Sequence, residues 1–136
     1  MSKPIPSISK FMTTTPRIGG RDLTLEAAER LMAEAGIRHL PIVEEGRLLG
    51  VLTQRDLRFA ASFAGVDVKR DTVAGAMIEE PYSVSPETPL DEVVQTMAEH
   101  KYGSAIIVQH DHVVGVFTTV DACRALAELL TSRLRK

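Results

Sequence analysis

One stretch of this chain is written twice. Residues Met12 to Ala60 align with Met77 to Ala125 without a gap, at a constant offset of 65 residues. Met12 matches Met77, Pro16 matches Pro81, Leu25 matches Leu90, and Met32-Ala33-Glu34 matches Met97-Ala98-Glu99. The clearest match sets GVLTQRD (Gly50 to Asp56) against GVFTTVD (Gly115 to Asp121). A unit of this size is too small to bury a core of its own, so two copies are expected to pack face to face. The duplication predicts a pseudo-twofold arrangement with paired clefts where the halves meet, which suits binding more than chemistry.

Each copy reads as strand, helix, strand, strand, helix. In the first, a short extended piece is expected around Arg17-Ile18, broken by Gly19-Gly20. The spacing of Leu25, Ala28, Leu31, Met32 and Ala35 predicts a helix over 25–35, with Gly36 as its C-terminal cap. His39 to Val43 and Leu48 to Thr53 read as a hairpin turning at 44–47, and both runs are apolar enough for a sheet covered on two faces. A second helix is expected from Thr53, fading at Gly65. In the second copy, Thr88-Pro89-Leu90-Asp91 carries the marks of a helix start: a hydroxyl cap, proline at the first position and an acid at the third. Val93, Val94, Met97 and Ala98 supply its buried face. Ala105 to Gln109 and Val113 to Thr118 form the hairpin, turning at His110-Asp111-His112, and a last helix runs from Asp121 to about Leu134. Its Leu126, Leu129, Leu130 and Leu134 offer more apolar surface than a free helix needs, so it is expected to pack on the core or on a second subunit. The fold class is therefore mixed α/β (α+β), with one repeat over 8–65, a short charged linker over 66–72, a second repeat over 73–130 and a basic tail over 131–136.

Composition removes several function classes. Net charge is −2 over 136 residues, and the only basic cluster is Arg133, Arg135 and Lys136, which suits a solvated helix end. No basic face for nucleic acid is present. No apolar run approaches the length of a membrane span, and MSKPIPSISK lacks the apolar core of a signal peptide. The single cysteine, Cys123, excludes an internal disulfide and reads as a small packed residue in a helix. A reducing cytoplasm is the expected compartment.

The repeated Gly-apolar-apolar-Thr-x-x-Asp is the main candidate for function, and two readings of it stay open. Thr followed three residues later by an acid is a capping box, with Thr53 capping and Asp56 reaching back, and Thr118 and Asp121 doing the same. A helix N-terminus at a strand end also offers amide donors and a positive dipole to an anion. A carboxylate there can accept two hydrogen bonds from a ribose diol, and the glycine would let a ligand ring approach the strand backbone. Capping explains Thr and Asp but not the preceding Gly.

With the methionine and proline opening each copy, the segment Arg38-His39-Leu40-Pro41-Ile42-Val43 and the two GV(L/F)TxxD segments, the chain resembles a cystathionine-β-synthase-type (CBS) domain pair, or Bateman module. The resemblance covers about residues 8 to 130 and implies a stand-alone pair of β-α-β-β-α repeats packed sheet to sheet. It implies a regulatory module binding AMP, ADP or ATP, with S-adenosylmethionine as a further candidate, in clefts between the repeats. In such modules the Asp holds the ribose, strand backbone holds the adenine and basic residues hold phosphates. Carried onto this sequence, one cleft joins Thr118 and Asp121 to Arg17, Ile18, Ile37, Arg38, His39 and Pro41. The other joins Thr53 and Asp56 to Tyr82, Ser83, Tyr102, Gly103 and Ser104. The first has Arg17, Arg38 and His39 for phosphates. The second has neutral Tyr82, Gly103 and Ser104 at the matching positions, with Arg55 and Arg58 beside its motif, and fits a nucleoside or no ligand.

The remaining histidines point to no metal. His110-x-His112 flanks Asp111 on a turn, but no Cys or carboxylate cluster completes four ligands. His100 reads as a solvated helix end. No phosphate loop, nucleophile elbow or His-Glu-x-x-His is present. Asp56 and Asp121 are expected in separate clefts and form no acid–base pair. The chain is expected to be no enzyme but a sensor of adenine nucleotides, a homodimer of about twice 14.9 kDa that signals to an effector protein. The alternative is a structural module that dimerises without a nucleotide. Met32 and Met97 are expected in the core.

Overall fold

The computed structural model describes residues 4–14 and 16–134, with residues 133 and 134 in backbone only. The basic residues Arg133, Arg135 and Lys136 therefore fall outside the described side chains. Among the described residues, two four-stranded sheets and four α-helices make a mixed α+β fold. The strands are β1 (Thr13–Thr14), β2 (Gly19–Gly20), β3 (His39–Glu44), β4 (Arg47–Thr53), β5 (Ile78–Glu79), β6 (Ser83–Val84), β7 (Ser104–Gln109) and β8 (His112–Thr118). The helices are α1 (Leu25–Ala35), α2 (Gln54–Ala61), α3 (Leu90–His100) and α4 (Thr119–Leu134). One sheet runs β1-β8-β7-β6 and the other β2-β3-β4-β5.

The chain divides into two compact units, and neither is simply one repeat. Unit 1 comprises Met1–Pro16, Tyr82–His110 and Val114–Lys136, and unit 2 comprises Arg17–Pro81 with Asp111–Val113. The segment ahead of each repeat completes the unit built by the other. In unit 1, Leu90 N–H donates to Pro6 O (2.9 Å) and Ile8 N–H to Thr88 O (2.8 Å). In unit 2, Leu25 N–H donates to Asp71 O (2.9 Å) and Val73 N–H to Leu23 O (2.9 Å). These four bonds form two pairs, each equivalent under the sequence repeat. They satisfy amides at the helix starts that have no intrahelical acceptor. Ile8 and Val73, also equivalent, are both fully buried. The segment connecting the repeats is folded onto unit 2, with Val66 and Val68 packed against its core.

Helix α1 buries Leu25, Ala28 and Met32, and α3 buries Leu90, Val93 and Met97. Each set follows one helical stripe onto its sheet. The core of unit 2 adds Leu40, Ile42, Leu52 and Leu57, and that of unit 1 adds Ala105, Ile107, Phe117 and Ala125. Leu40, Pro41 and Ile42 are buried in succession, as are Ala105, Ile106 and Ile107. Unbroken runs of this kind have both strand faces covered. Both hairpins turn through two left-handed residues, Glu45 and Gly46 in one and His110 and Asp111 in the other. Such turns match the right-handed strand twist.

Several local expectations need correction. Gly19-Gly20 does not break a strand; it is β2, paired parallel with Ile42 and Val43. A side chain on Gly19 would press on Leu23, Leu40 and Ile42, so its absence lets β2 lie against the core. Arg17 and Ile18 precede the strand and are exposed. Thr88 does not cap α3: Pro89 holds the cap position without a side-chain bond, and the Thr88 hydroxyl pairs with that of Ser85 at 3.1 Å. Ala98 is exposed, being one residue beyond the stripe that Val93 and Met97 define. Helix α2 stops at Ala61, where the Ser62 hydroxyl donates to Phe59 O at 2.6 Å. Cys123 is exposed rather than packed. On α4, Leu126 and Leu130 are exposed and Leu129 is half-buried.

Candidate functional site

Both copies of the Thr-x-x-Asp motif sit where a strand ends and a helix begins. In unit 2, Thr53 is the N-cap of α2 and its hydroxyl oxygen accepts from Asp56 N–H at 3.0 Å. The hydroxyl donates in turn to Asp56 Oδ2 at 2.8 Å. In unit 1, Asp121 N–H points at Thr118 Oγ1 at 3.4 Å, while Asp121 Oδ2 accepts from Thr118 N–H at 2.9 Å and from the Thr118 hydroxyl at 3.2 Å. The reciprocal box is thus complete at Asp121 and one-sided at Asp56. The first helical amides are also held by the strand entry: Gln54 N–H donates to Arg38 O at 2.9 Å, and Thr119 N–H to Gly103 O at 3.2 Å. Each unit therefore ties its Thr–Asp pair to its own strand segment.

The two carboxylates differ in setting. Asp121 is buried, and its Oδ1 stands 3.7 Å from the guanidinium of exposed Arg124. Asp56 is half-buried, and only its Oδ2 takes a side-chain hydrogen bond among the described residues. In each case Oδ2 serves the helix cap, and Oδ1 takes no part in the cap hydrogen bonds.

The repeated glycine has a different role from the one expected. A β-carbon on Gly50 would stand 2.6 Å from Ile78 O and 2.9 Å from Met77 Sδ. On Gly115 it would overlap Met12 Sδ and Cγ. Both glycines are buried. The space beside each is taken by the methionine of the exchanged segment, whose strand pairs there: Thr14 opposite Gly115 and Glu79 opposite Gly50. Those glycines are not open approaches for a ligand ring.

Unit 2 gathers Arg17, Ile18, Ile37, Arg38, His39, Pro41, Thr53 and Asp56. His39 opens β3 opposite Thr53, and Pro41 is buried opposite Val51. Burial, and next the Arg38 guanidinium, hold the His39 imidazole below its ordinary pKa, with Asp56 acting in the opposite direction. His39 is therefore neutral at pH 7. Arg17 and Arg38 are exposed cations.

Unit 1 gathers Tyr82, Ser83, Tyr102, Gly103, Ser104, Thr118 and Asp121. Tyr82 and Tyr102 stack with ring centroids 5.3 Å apart and planes 26° from parallel. His100 stacks on Tyr102 at 5.1 Å and 13°. Ser104 is buried at the start of β7. His100 is exposed at the last position of α3, as expected of a helix end. The three ring-bearing positions 82, 100 and 102 have Arg17, Ala35 and Ile37 as partners in the other repeat.

Among the described residues no three His, Cys, Asp or Glu side chains gather as a metal site, and no helix is long and apolar enough to cross a membrane.

A protein-family model described as CBS domain matches residues 1–62 and 71–128. The CBS domain-containing protein YhcV of Bacillus subtilis is 30% identical over 115 residues, covering 85% of this chain and 81% of the relative. The crystal structure of a putative acetoin utilization protein (AcuB) from Vibrio cholerae matches with a TM-score of 0.87 at 30% identity, over 98% of each chain. Two structures share the fold at lower identity. The CBS domain pair of MJ0100, in complex with 5′-methylthioadenosine and S-adenosyl-L-methionine, has a TM-score of 0.83 at 23% identity over 93% of this chain and 99% of that one. CBSX2 in complex with AMP has a TM-score of 0.80 at 22% identity over 91% and 98%.

Proposed function

Because this chain belongs to the CBS domain family, we propose that it is a regulatory module that binds an adenosine-type ligand and passes occupancy to a partner chain. The observation that carries this reading is the pair of strand-end carboxylates, each held by its threonine through Oδ2, which leaves Oδ1 outside the cap hydrogen bonds. A ribose diol needs such an acceptor. Adenosine-type ligands in two structures of the same fold support the choice of class. The ligand sets expected from the family are retained in this proposal, with Asp121 for the ribose and Arg17, Arg38 and His39 for the phosphates of AMP, ADP or ATP. Binding would favour one conformation over another only through its differential affinity for the two. The role is regulatory rather than catalytic, in the cytoplasm.

A second reading has its own support. Phe59 and Phe63 form an exposed edge-to-face pair at 4.9 Å on and just beyond α2, and Val120, Leu126 and Leu130 are exposed on α4. Apolar surface of this kind suits a homodimer, with or without a nucleotide.

One thermal-shift experiment separates the readings. AMP, ADP, ATP, adenosine and S-adenosylmethionine are added in turn. A specific ligand at a hundred times its Kd should add about 2.7 kcal/mol to stability. A melting point that depends on protein concentration but not on any of the five ligands would contradict ligand sensing and leave the interaction module.

A further inference from the structure

The chain has five methionines, and the fold sorts four of them into two kinds. Met32 and Met97 are 2% and 5% exposed, inside the two cores. Met12 and Met77 are half-buried, packed on the margins of the same cores. Each of the second kind lays its sulfur against a glycine of its own unit. A β-carbon on Gly115 would overlap Met12 Sδ, and one on Gly50 would stand 2.9 Å from Met77 Sδ. Beside either sulfur there is thus no room for another heavy atom on the glycine side. Met12 leads directly into β1 and Met77 into β5, strands of two residues each. Those strands pair with β8 at Gly115 and Val116 and with β4 at Gly50 and Val51. So short a strand has few hydrogen bonds to hold it, and the buried part of the methionine is its anchor. Strands β8 and β4 run on to Thr118 and Thr53, which bond Asp121 and Asp56. In both units the thioether therefore pins the edge of the strand that delivers the Thr–Asp pair.

We propose that Met12 and Met77 are redox-sensitive pins, whose oxidation by a hydroperoxide releases β1 and β5 and whose reduction restores them. The sulfur gives an electron pair to one peroxide oxygen. An S–O bond forms, the O–O bond breaks, and water leaves when the oxidant is hydrogen peroxide. The sulfur is oxidised by two electrons and the peroxide reduced by two. A sulfoxide is polar and one oxygen larger than the thioether. Against Gly115 or Gly50 it overpacks a filled site and brings a polar oxygen to an apolar core margin.

Hydrogen peroxide is titrated against the full chain carrying Cys123→Ser, which removes the only thiol. Peptide mass mapping should find sulfoxide at Met12 and Met77 before Met32 and Met97. At that stage the melting midpoint should fall by about 5 °C or more. Deuterium uptake in peptides covering 47–53 and 112–118 should quicken at least about tenfold. Methionine sulfoxide reductases A and B together should reverse both changes. The double variant Met12→Leu with Met77→Leu keeps apolar packing but has no sulfur at either pin. It should hold its own unoxidised midpoint at the same dose, and each single variant should lose part of the fall. Sulfoxide at Met12 and Met77 with an unchanged midpoint would overturn the proposal. So would equally early oxidation of Met32 and Met97, a midpoint the reductases do not restore, or an equal fall in the leucine variants.

Discussion

Units 1 and 2 are alike where the chain holds itself together and unlike where it could hold something else. Gly50 and Gly115 both make room for a methionine from an exchanged segment. Thr53 and Thr118 both bond the acid that follows them on the helix. The unlike positions lie alongside: Arg17 against Tyr82, Ile37 against Tyr102, Arg38 against Gly103, His39 against Ser104. A residue kept in both copies answers a demand made by the fold twice, while a residue that differs is released from that demand. The repeated motif thus carries architecture, and under the proposed function the ligand choice falls to the substitutions around it.

The sharpest way to break this comparison is to disturb the glycine–methionine contacts. Gly50→Ala and Gly115→Ala should each destabilise the chain by about 1–3 kcal/mol, since overpacking a filled site forces its neighbours to move. The two should differ in rescue. At Gly115 the nearest atoms belong to the Met12 side chain, so Met12→Ala should recover much of the loss. At Gly50 the nearest atom is the backbone oxygen of Ile78, which no side-chain change removes, so Met77→Ala should recover little. Double-mutant cycles by urea denaturation measure both couplings. Equal rescue at the two sites would contradict the assigned contacts.

A smaller difference lies at the ends of α1 and α3. Gly36 and Lys101 hold equivalent left-handed positions, at φ 67° and φ 59°. A residue with a β-carbon is strained there by about 1–2 kcal/mol. Lys101→Gly should therefore stabilise the protein by about 0.5–1 kcal/mol, and Gly36→Lys should destabilise it by about 1 kcal/mol. Thermal melts read both, and a destabilised Lys101→Gly protein would mean that the lysine has a contact outweighing its strain.

The smallest expected effect is a pH dependence at His39. His39 binds its proton less readily folded than unfolded because it is buried and lies beside Arg38. Its contribution to stability is fully present above the unfolded value of about 6.5 and is lost as pH falls through the lower folded value. Ser104, its counterpart, does not titrate. His39→Asn should flatten the acid side of the stability profile below about pH 6.5. An unchanged slope would place the acid sensitivity elsewhere.

Much of the architecture was legible in the sequence because periodicity and repetition report burial directly. The span of α1, its Gly36 cap, both hairpins and the buried pair Met32 and Met97 all follow from apolar spacing and turn residues. The exchanged segments were not legible. Ile8 and Met12 pack against residues more than seventy positions away, and nothing local in the sequence encodes that distance. The role of the glycines was hidden for the same reason, since the atom each makes room for comes from a remote segment. The Thr–Asp caps were readable as capping boxes, but their inequality depends on hydrogen-bond distances. His100 is the exposed last residue of α3, as its position suggested; its stack on Tyr102 was not legible because ring proximity depends on the fold.

The central claim, that the residues differing between the repeats choose the ligand, is tested most directly by calorimetric titration of Arg38→Ala and Asp121→Ala with AMP and with adenosine. Each variant's stability without ligand is measured first, because Asp121 also caps α4. Arg38→Ala should weaken AMP by about 1.5–3 kcal/mol, roughly ten- to a hundredfold, and leave adenosine unchanged, because only the phosphate loses a charged partner. Asp121→Ala should weaken both ligands, since both carry the ribose. If Arg38→Ala binds AMP normally, or loses adenosine and AMP alike, the unlike residues do not choose the ligand and the account is wrong.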